Sequence, residues 1–239
     1  MRKHIYLIIL VVFFSSCSNK YQSITTSKNL ANDKSLDKIV IIEPYFVYKD
    51  FTDKNVYKYF KSSDKDEEYR KILKKEAKKL KVNIETYDKN NLKGDETFYF
   101  NDLIPLKNEI MINLSKLDID SKEDKKSKTQ QYEDEPVIDP KYSALMDKLG
   151  AKYFATTGIV SLKDKPRINW AMIAIPPIML HTFQPYKESI YYFVLANVES
   201  GEIVYQEVRY HNEKMTKTNM SIYTYDTLKK IKKTIKKGK

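Results

Sequence analysis

Three histidines, one cysteine and a scatter of carboxylates are the residues of this chain suited to catalysis or metal binding. His4 sits in the first few residues, and His181 and His211 have no HExxH or CxxC beside them. A zinc site needs several ligands at readable spacing, so His181, at the end of an apolar run, reads as a partly buried, satisfied histidine. Asp118 and Asp120 are spaced like the opening of a calcium loop. Lys122 occupies the next ligand position, however, and the required glycine is missing. Glu133-Asp134-Glu135 reads as a solvated charge run. Glu43 stands near the carboxyl end of the first strand, where α/β folds place their sites, yet one carboxylate makes no mechanism. No GxSxG, P-loop or GxGxxG occurs, and five glycines leave little room for a phosphate-cradling loop. The sequence therefore predicts a non-enzyme with no metal and no cofactor.

The cysteine has a different chemistry. Met1-Arg2-Lys3-His4 is a positive start, Ile5 to Phe14 is apolar, and Ser15-Ser16 leads into Cys17. A charged start, an apolar core and small residues make a signal peptide over residues 1–16. The apolar run is too short to span a bilayer, which takes about 20 residues. Phe14-Ser15-Ser16-Cys17 resembles the lipobox of bacterial lipoproteins, although Phe14 stands where that family usually has leucine. The resemblance implies diacylglycerol on the Cys17 thiol, cleavage before it, and acylation of the new amino group. Each buried CH₂ contributes about 0.8 kcal/mol, so three chains hold a protein on a membrane permanently. Ser18 stands where an aspartate would resemble an inner-membrane retention signal. No acidic cluster resembling a surface-export signal follows Cys17. The expected address is the outer membrane, facing the periplasm.

The net charge is +11. For an exported lipoprotein the expected counter-charges are lipid headgroups, lipopolysaccharide or peptidoglycan carboxylates rather than nucleic acid. A lysine-rich composition with no partner at all fits the charge equally well. With a single cysteine there is no internal disulfide, so stability rests on burial and hydrogen bonds.

Residues 17–36 read as the lipidated cysteine and a polar, flexible tether with a reach on the order of 50–60 Å. The remaining chain, 37–239, is expected to form one α/β domain. Ile39-Val40-Ile41-Ile42, closed by Glu43-Pro44, suits a central strand. Tyr69, Ile72, Leu73, Ala77 and Leu80 mark an amphipathic helix over about 66–81. Val82, Ile84 and Thr86 alternate as a strand does, which completes a βαβ unit with an expected right-handed crossover. A second helix is expected over about 103–117, with Pro105 in its first turn. Residues 118–136 read as a charged, mobile loop. Asp139-Pro140 opens a third helix and Gly150 closes it. A strand follows over 152–162, in which Gly158 signals a bulge or a close backbone approach. Residues 189–198 and 203–210 form a β-hairpin about Glu199-Ser200-Gly201-Glu202, and a helix covers about 221–237. The expected fold is α/β (α+β): a mixed sheet of about five strands with helices packed on it, ending in a β-hairpin and a C-terminal helix.

Three of these segments carry a resemblance. Ile39-Val40-Ile41-Ile42-Glu43-Pro44, Leu149-Gly150-Ala151-Lys152-Tyr153-Phe154-Ala155-Thr156-Thr157-Gly158 and Glu199-Ser200-Gly201-Glu202-Ile203-Val204-Tyr205 resemble segments of a family of periplasmic α/β lipoprotein domains. That family includes CsgG, LpoB and the N-terminal domain of TolB. The resemblance covers about residues 37–237 and its motifs describe fold rather than chemistry. It implies binding, scaffolding or secretion at the envelope without catalysis, and a shared fold does not transfer a function.

Two segments are candidate contacts. Trp170 to Leu180 is apolar, and its two prolines and short length exclude a membrane span. Burial suits most of it; if exposed, Trp170 and Met172 are the anchors. In the tail, Leu228, Ile231 and Ile235 recur at helical spacing, while Lys229, Lys232, Lys233 and Lys236 occupy other faces. Those lysines suit either a solvated helix end or an anionic surface. The leading expectation is a non-enzymatic envelope lipoprotein, anchored to membrane by its lipid, that binds or scaffolds an envelope protein or a second copy of itself. The alternatives are a subunit of an oligomeric outer-membrane secretion assembly and an undetected hydrolase of an envelope polymer.

Overall fold

Runs of β-branched and aromatic residues broken by two amphipathic helices fold here into a sheet covered on both faces. The structure is a computed structural model and describes residues 22–26, 30, 36, 38–50, 58–61, 63–89, 96–115, 129–130, 138–163, 187–211 and 214–237. The strands are β1 (Gln22–Thr26), β2 (Ile39–Ile42), β3 (Tyr45–Asp50), β4 (Lys58–Lys61), β5 (Ile84–Tyr87), β6 (Thr129–Gln130), β7 (Tyr153–Lys163), β8 (Lys187–Asn197) and β9 (Glu202–His211). Helix α1 spans Ser63–Leu80 and the last helix, α4, spans Lys217–Lys237. Helix α2 begins at Glu96–Phe98, passes through a π segment at Tyr99–Leu103 and continues as Ile104–Ser115. Helix α3, Ala144–Leu149, follows a 3₁₀ turn at Pro140–Ser143.

The fold is α/β, with a mixed sheet in the order β4-β3-β7-β8-β9-β1-β6 and β5-β2 paired onto β7. The strand β2 runs parallel to Tyr153–Ala155, and β3 takes over along Gly158–Lys163 on the same side of β7. Glu43 and Pro44 make the jog between them. One face buries Tyr69, Ile72 and Leu73 of α1 with Tyr223, Leu228 and Ile231 of α4; the other buries Tyr99, Leu103 and Ile110 of α2 with Leu145 of α3. No helix among the described residues is long and apolar enough to cross a membrane.

All five expected strands are present, but the sheet has nine among the described residues. Two of the additional strands correct the expected domain map. Gln22–Thr26, expected to be tether, pairs antiparallel with β9 from Gln22 beside Arg209 to Thr26 beside Tyr205, and Leu30 is fully buried. Thr129–Gln130, expected to belong to the charged loop 118–136, pairs with β1; the rest of that loop lies outside the described residues. The physical reason is that β1 is held by backbone pairing to β9 on one side and β6 on the other, so QSITT carries no apolar run to announce it. Helix α2 also starts earlier than expected. Pro105 lies inside it, and Ile104 N–H donates to Tyr99 O across the π turn just ahead of the proline.

Gly158 is the expected close approach. It pairs with Tyr192 on β8, and a Cβ there would lie 3.0 Å from Tyr192 Cε1 and Oη. Gly158→Val should therefore cost about 1–3 kcal/mol by overpacking. A thermal melt checks this, and Gly158→Val with Tyr192→Leu should recover part of the loss.

Candidate functional site

Two carboxylates stand at the carboxyl ends of neighbouring parallel strands, where α/β sheets place sites: Glu43 after β2 and Asp88 after β5. Glu43 has φ 45°, a left-handed backbone that a non-glycine residue adopts at a cost. Its N–H donates to Tyr87 O at 2.7 Å. Its carboxylate meets α2, where Tyr99 Oη donates to Oε1 at 2.5 Å and the Lys107 ammonium pairs with Oε2. Lys107 also lies 5.7 Å from the centre of the Tyr45 ring. Burial, then the hydrogen bond and charge of Glu43, push the Tyr99 hydroxyl far above its ordinary value, so it remains a donor. Asp88 is buried and pairs with Arg70 of α1 at 3.4 Å. Each carboxylate has its own cation, and the cluster ties α1 and α2 to the strand ends. Acid–base chemistry here would require a carboxylate to release that cation.

A second cluster joins α4 to β9. Glu207 is fully buried and accepts from Tyr205 Oη at 2.9 Å, from Arg209 Nε at 2.9 Å, from Lys230 Nζ at 3.0 Å and from Thr227. The Arg209 guanidinium stacks over Tyr223 at 4.8 Å and reaches Asp226 at 3.6 Å. Burial alone would raise the Glu207 pKa, but the charges of Arg209 and Lys230 and the Thr227 hydrogen bond outweigh it and hold the carboxyl below its usual range. His211 meets Asn219 of α4 at 2.9 Å through Nε2 and packs edge-on to Tyr223 at 6.1 Å. Among the described residues no group of three His, Cys, Asp or Glu is placed to hold a metal ion.

The third feature is at the surface. Helices α1 and α4 lie side by side with their C-termini together: Lys217 pairs with Glu68 at 3.5 Å, Ser221 donates to Glu76 at 2.7 Å, and Lys232 caps Leu80 O. Helix α1 ends in a Schellman motif, with Val82 N–H on Ala77 O at 2.9 Å and Lys81 N–H on Lys78 O at 3.1 Å. The left-handed residue of that motif is usually glycine, but here it is Lys81, at φ 53°. Lys78, Lys79, Lys81, Lys229 and Lys233 are exposed around the two helix ends. No acid occurs from Ala77 to Ile84 or after Asp226.

Of the residues singled out by sequence, Lys229 is exposed 5.5 Å from the Tyr225 ring centre, and Lys233 is exposed. Lys232 is half-buried and committed to the end of α1. Cys17, Trp170, Met172, His181, the side chain of Lys236 and the signal peptide 1–16 lie outside the described residues, as do Asp118, Asp120 and Glu133–Glu135. Sequence reasoning missed Lys78, Lys79 and Lys81, although the acid-free run after Glu76 was a readable signal.

No family model and no curated protein matches the chain. Among solved structures it is similar to a PelC dodecamer from Paraburkholderia phytofirmans, at 8% identity and a TM-score of 0.39, over 89% of this chain and 97% of that one. A dodecamer of a PelC variant from the same organism gives 8% identity and a TM-score of 0.36, over 82% and 88%. Likenesses this distant carry no conclusion about function.

Proposed function

We propose that the protein is a non-enzymatic lipoprotein of the cell envelope, held at the outer membrane facing the periplasm by a lipid on Cys17, and that it binds or scaffolds another envelope component. One observation carries the reading: the chain's single cysteine lies directly after a positive start, an apolar run and two serines. Two further features support it. The buried charges of Glu207 and Asp88 and the half-buried Glu43 are engaged in contacts that hold helices to the sheet, which suits a rigid binding domain. The resemblance to the CsgG, LpoB and TolB domains also implies binding at the envelope.

The test is intact mass of protein purified from membranes of its native host. The expected mass is that of a chain beginning at Cys17 plus a diacylglyceryl group and one further acyl group. A chain that keeps residues 1–16, or begins at Cys17 without acyl mass, would overturn the anchor.

A further inference from the structure

The strand that follows Cys17 in the chain begins at one end of the sheet, and the exposed lysines of the basic tail stand toward the other. The strand β1 starts at Gln22 beside Arg209, near the end of β9. Covalent geometry limits the distance from Cys17 to Gln22 to about 17 Å. Helix α4 starts at that same end, where Met215 N–H donates to Ser189 Oγ at 3.0 Å and Asn219 meets His211. It then runs back along the sheet, and Lys232 reaches Leu80 at its far end. A helix of 21 residues is about 30 Å long. Lys229 to Lys233 stand 12–16 residues into α4, so the cluster sits roughly 18–24 Å along the helix axis from the end where β1 begins.

Helix dipoles do not account for the whole cluster. Two helix C-termini together present about one unit of negative charge. Lys78, Lys79, Lys81, Lys229, Lys232 and Lys233 exceed that, and Glu76, at 2.7 Å from Lys79, offsets only one more. Lys81 holds a left-handed backbone where glycine would be free of strain, so a cation is kept there at a conformational cost.

We infer that this far end is a docking surface for a carboxylate-bearing cell-wall polymer, namely peptidoglycan. The inference rests on the lipid-anchor reading for the direction the surface faces. A polymer layer lying away from the anchoring membrane presents repeated carboxylates on the side of the cluster, whereas the anchoring bilayer lies toward the end where β1 begins.

The test is co-sedimentation of the full-length lipidated protein, in detergent, with purified peptidoglycan sacculi. A variant carrying Lys78→Gln, Lys79→Gln, Lys229→Gln and Lys233→Gln is compared with a charge-matched control carrying Lys65→Gln, Lys71→Gln, Lys141→Gln and Lys217→Gln. The expected result is that the patch variant binds at least about tenfold more weakly, the control binds as wild type, and wild-type binding fades near about 0.3 M salt. Both variants should melt within a few degrees of wild type. Equal loss in the control would assign binding to net charge and overturn the proposal. So would absent wild-type binding, or a preference for vesicles of phosphatidylglycerol over sacculi. The mass of the mature chain is a separate readout, so failure of the anchor and failure of the surface are distinguishable.

Discussion

Glu207→Ala should lower stability by about 3–5 kcal/mol, the cost of removing one partner of a buried ion pair. In a domain of this size that is a fall in melting temperature on the order of 10 °C. The size follows from what remains. Arg209 is nearly buried on the same strand and keeps only the longer contact to the half-exposed Asp226, Lys230 from α4 loses its buried counter-charge, and Tyr205 and Thr227 lose their acceptor. Glu207→Gln keeps an acceptor for the hydroxyls but not the charge, and should fall between wild type and Glu207→Ala. Glu207→Ala with Arg209→Ala should be less harmful than the sum of the singles, because one stranded charge is removed with its partner. Additive losses in that cycle would show that the pair is not coupled.

The same group has a pH signature. The folded pKa of Glu207 is depressed, so its contribution is fully present above the ordinary glutamate value near 4.5 and is lost as pH falls through the lower folded value. Glu67, Glu68, Glu76, Glu85 and Asp139 are depressed too, so the wild-type acid limb is shared. The difference between wild type and Glu207→Gln isolates this carboxylate: the gap in stability should be wide near neutrality and narrow as pH falls below the ordinary glutamate value and through the lower folded one.

The elements that were legible in the sequence are those with a single clear period. Tyr69, Ile72, Leu73 and Ala77 bury one face of α1, and the turn at Gly201 joins β8 to β9 in a hairpin. The polar strand β1 was not legible: it has only Ile24 to pack against the core, and its pairing with β9 bridges most of the chain. The Glu207 cluster was hidden for a related reason. In β9, Glu207 and Arg209 alternate with Gln206 and Val208, as solvent-facing positions of a half-buried strand would. Only α4, arriving later in the chain with Thr227 and Lys230, turns that face into an interior. The basic end was half legible. The tail lysines stand out in sequence, but their meeting with Lys78, Lys79 and Lys81 depends on two helices ending together.

Replacing residues 1–16 with an ordinary cleavable leader, together with Cys17→Ala, should move the protein wholly from the membrane pellet to the soluble periplasmic fraction. At about 0.8 kcal/mol per buried CH₂, one acyl chain gives only reversible binding and three give a permanent hold, so no intermediate partition is expected once all are lost. The released protein should keep its melting temperature, because β1 is held by backbone pairing with β9 from Gln22 onward and nothing in that pairing needs the lipid. Retention in the pellet would mean that some other surface holds the membrane, and would return attention to Trp170 and Met172. A released protein that melts early would mean that the lipid braces β1 against β9. Few residues separate Cys17 from Gln22, so the melting temperature of the released protein reports directly on whether β1 depends on what precedes it.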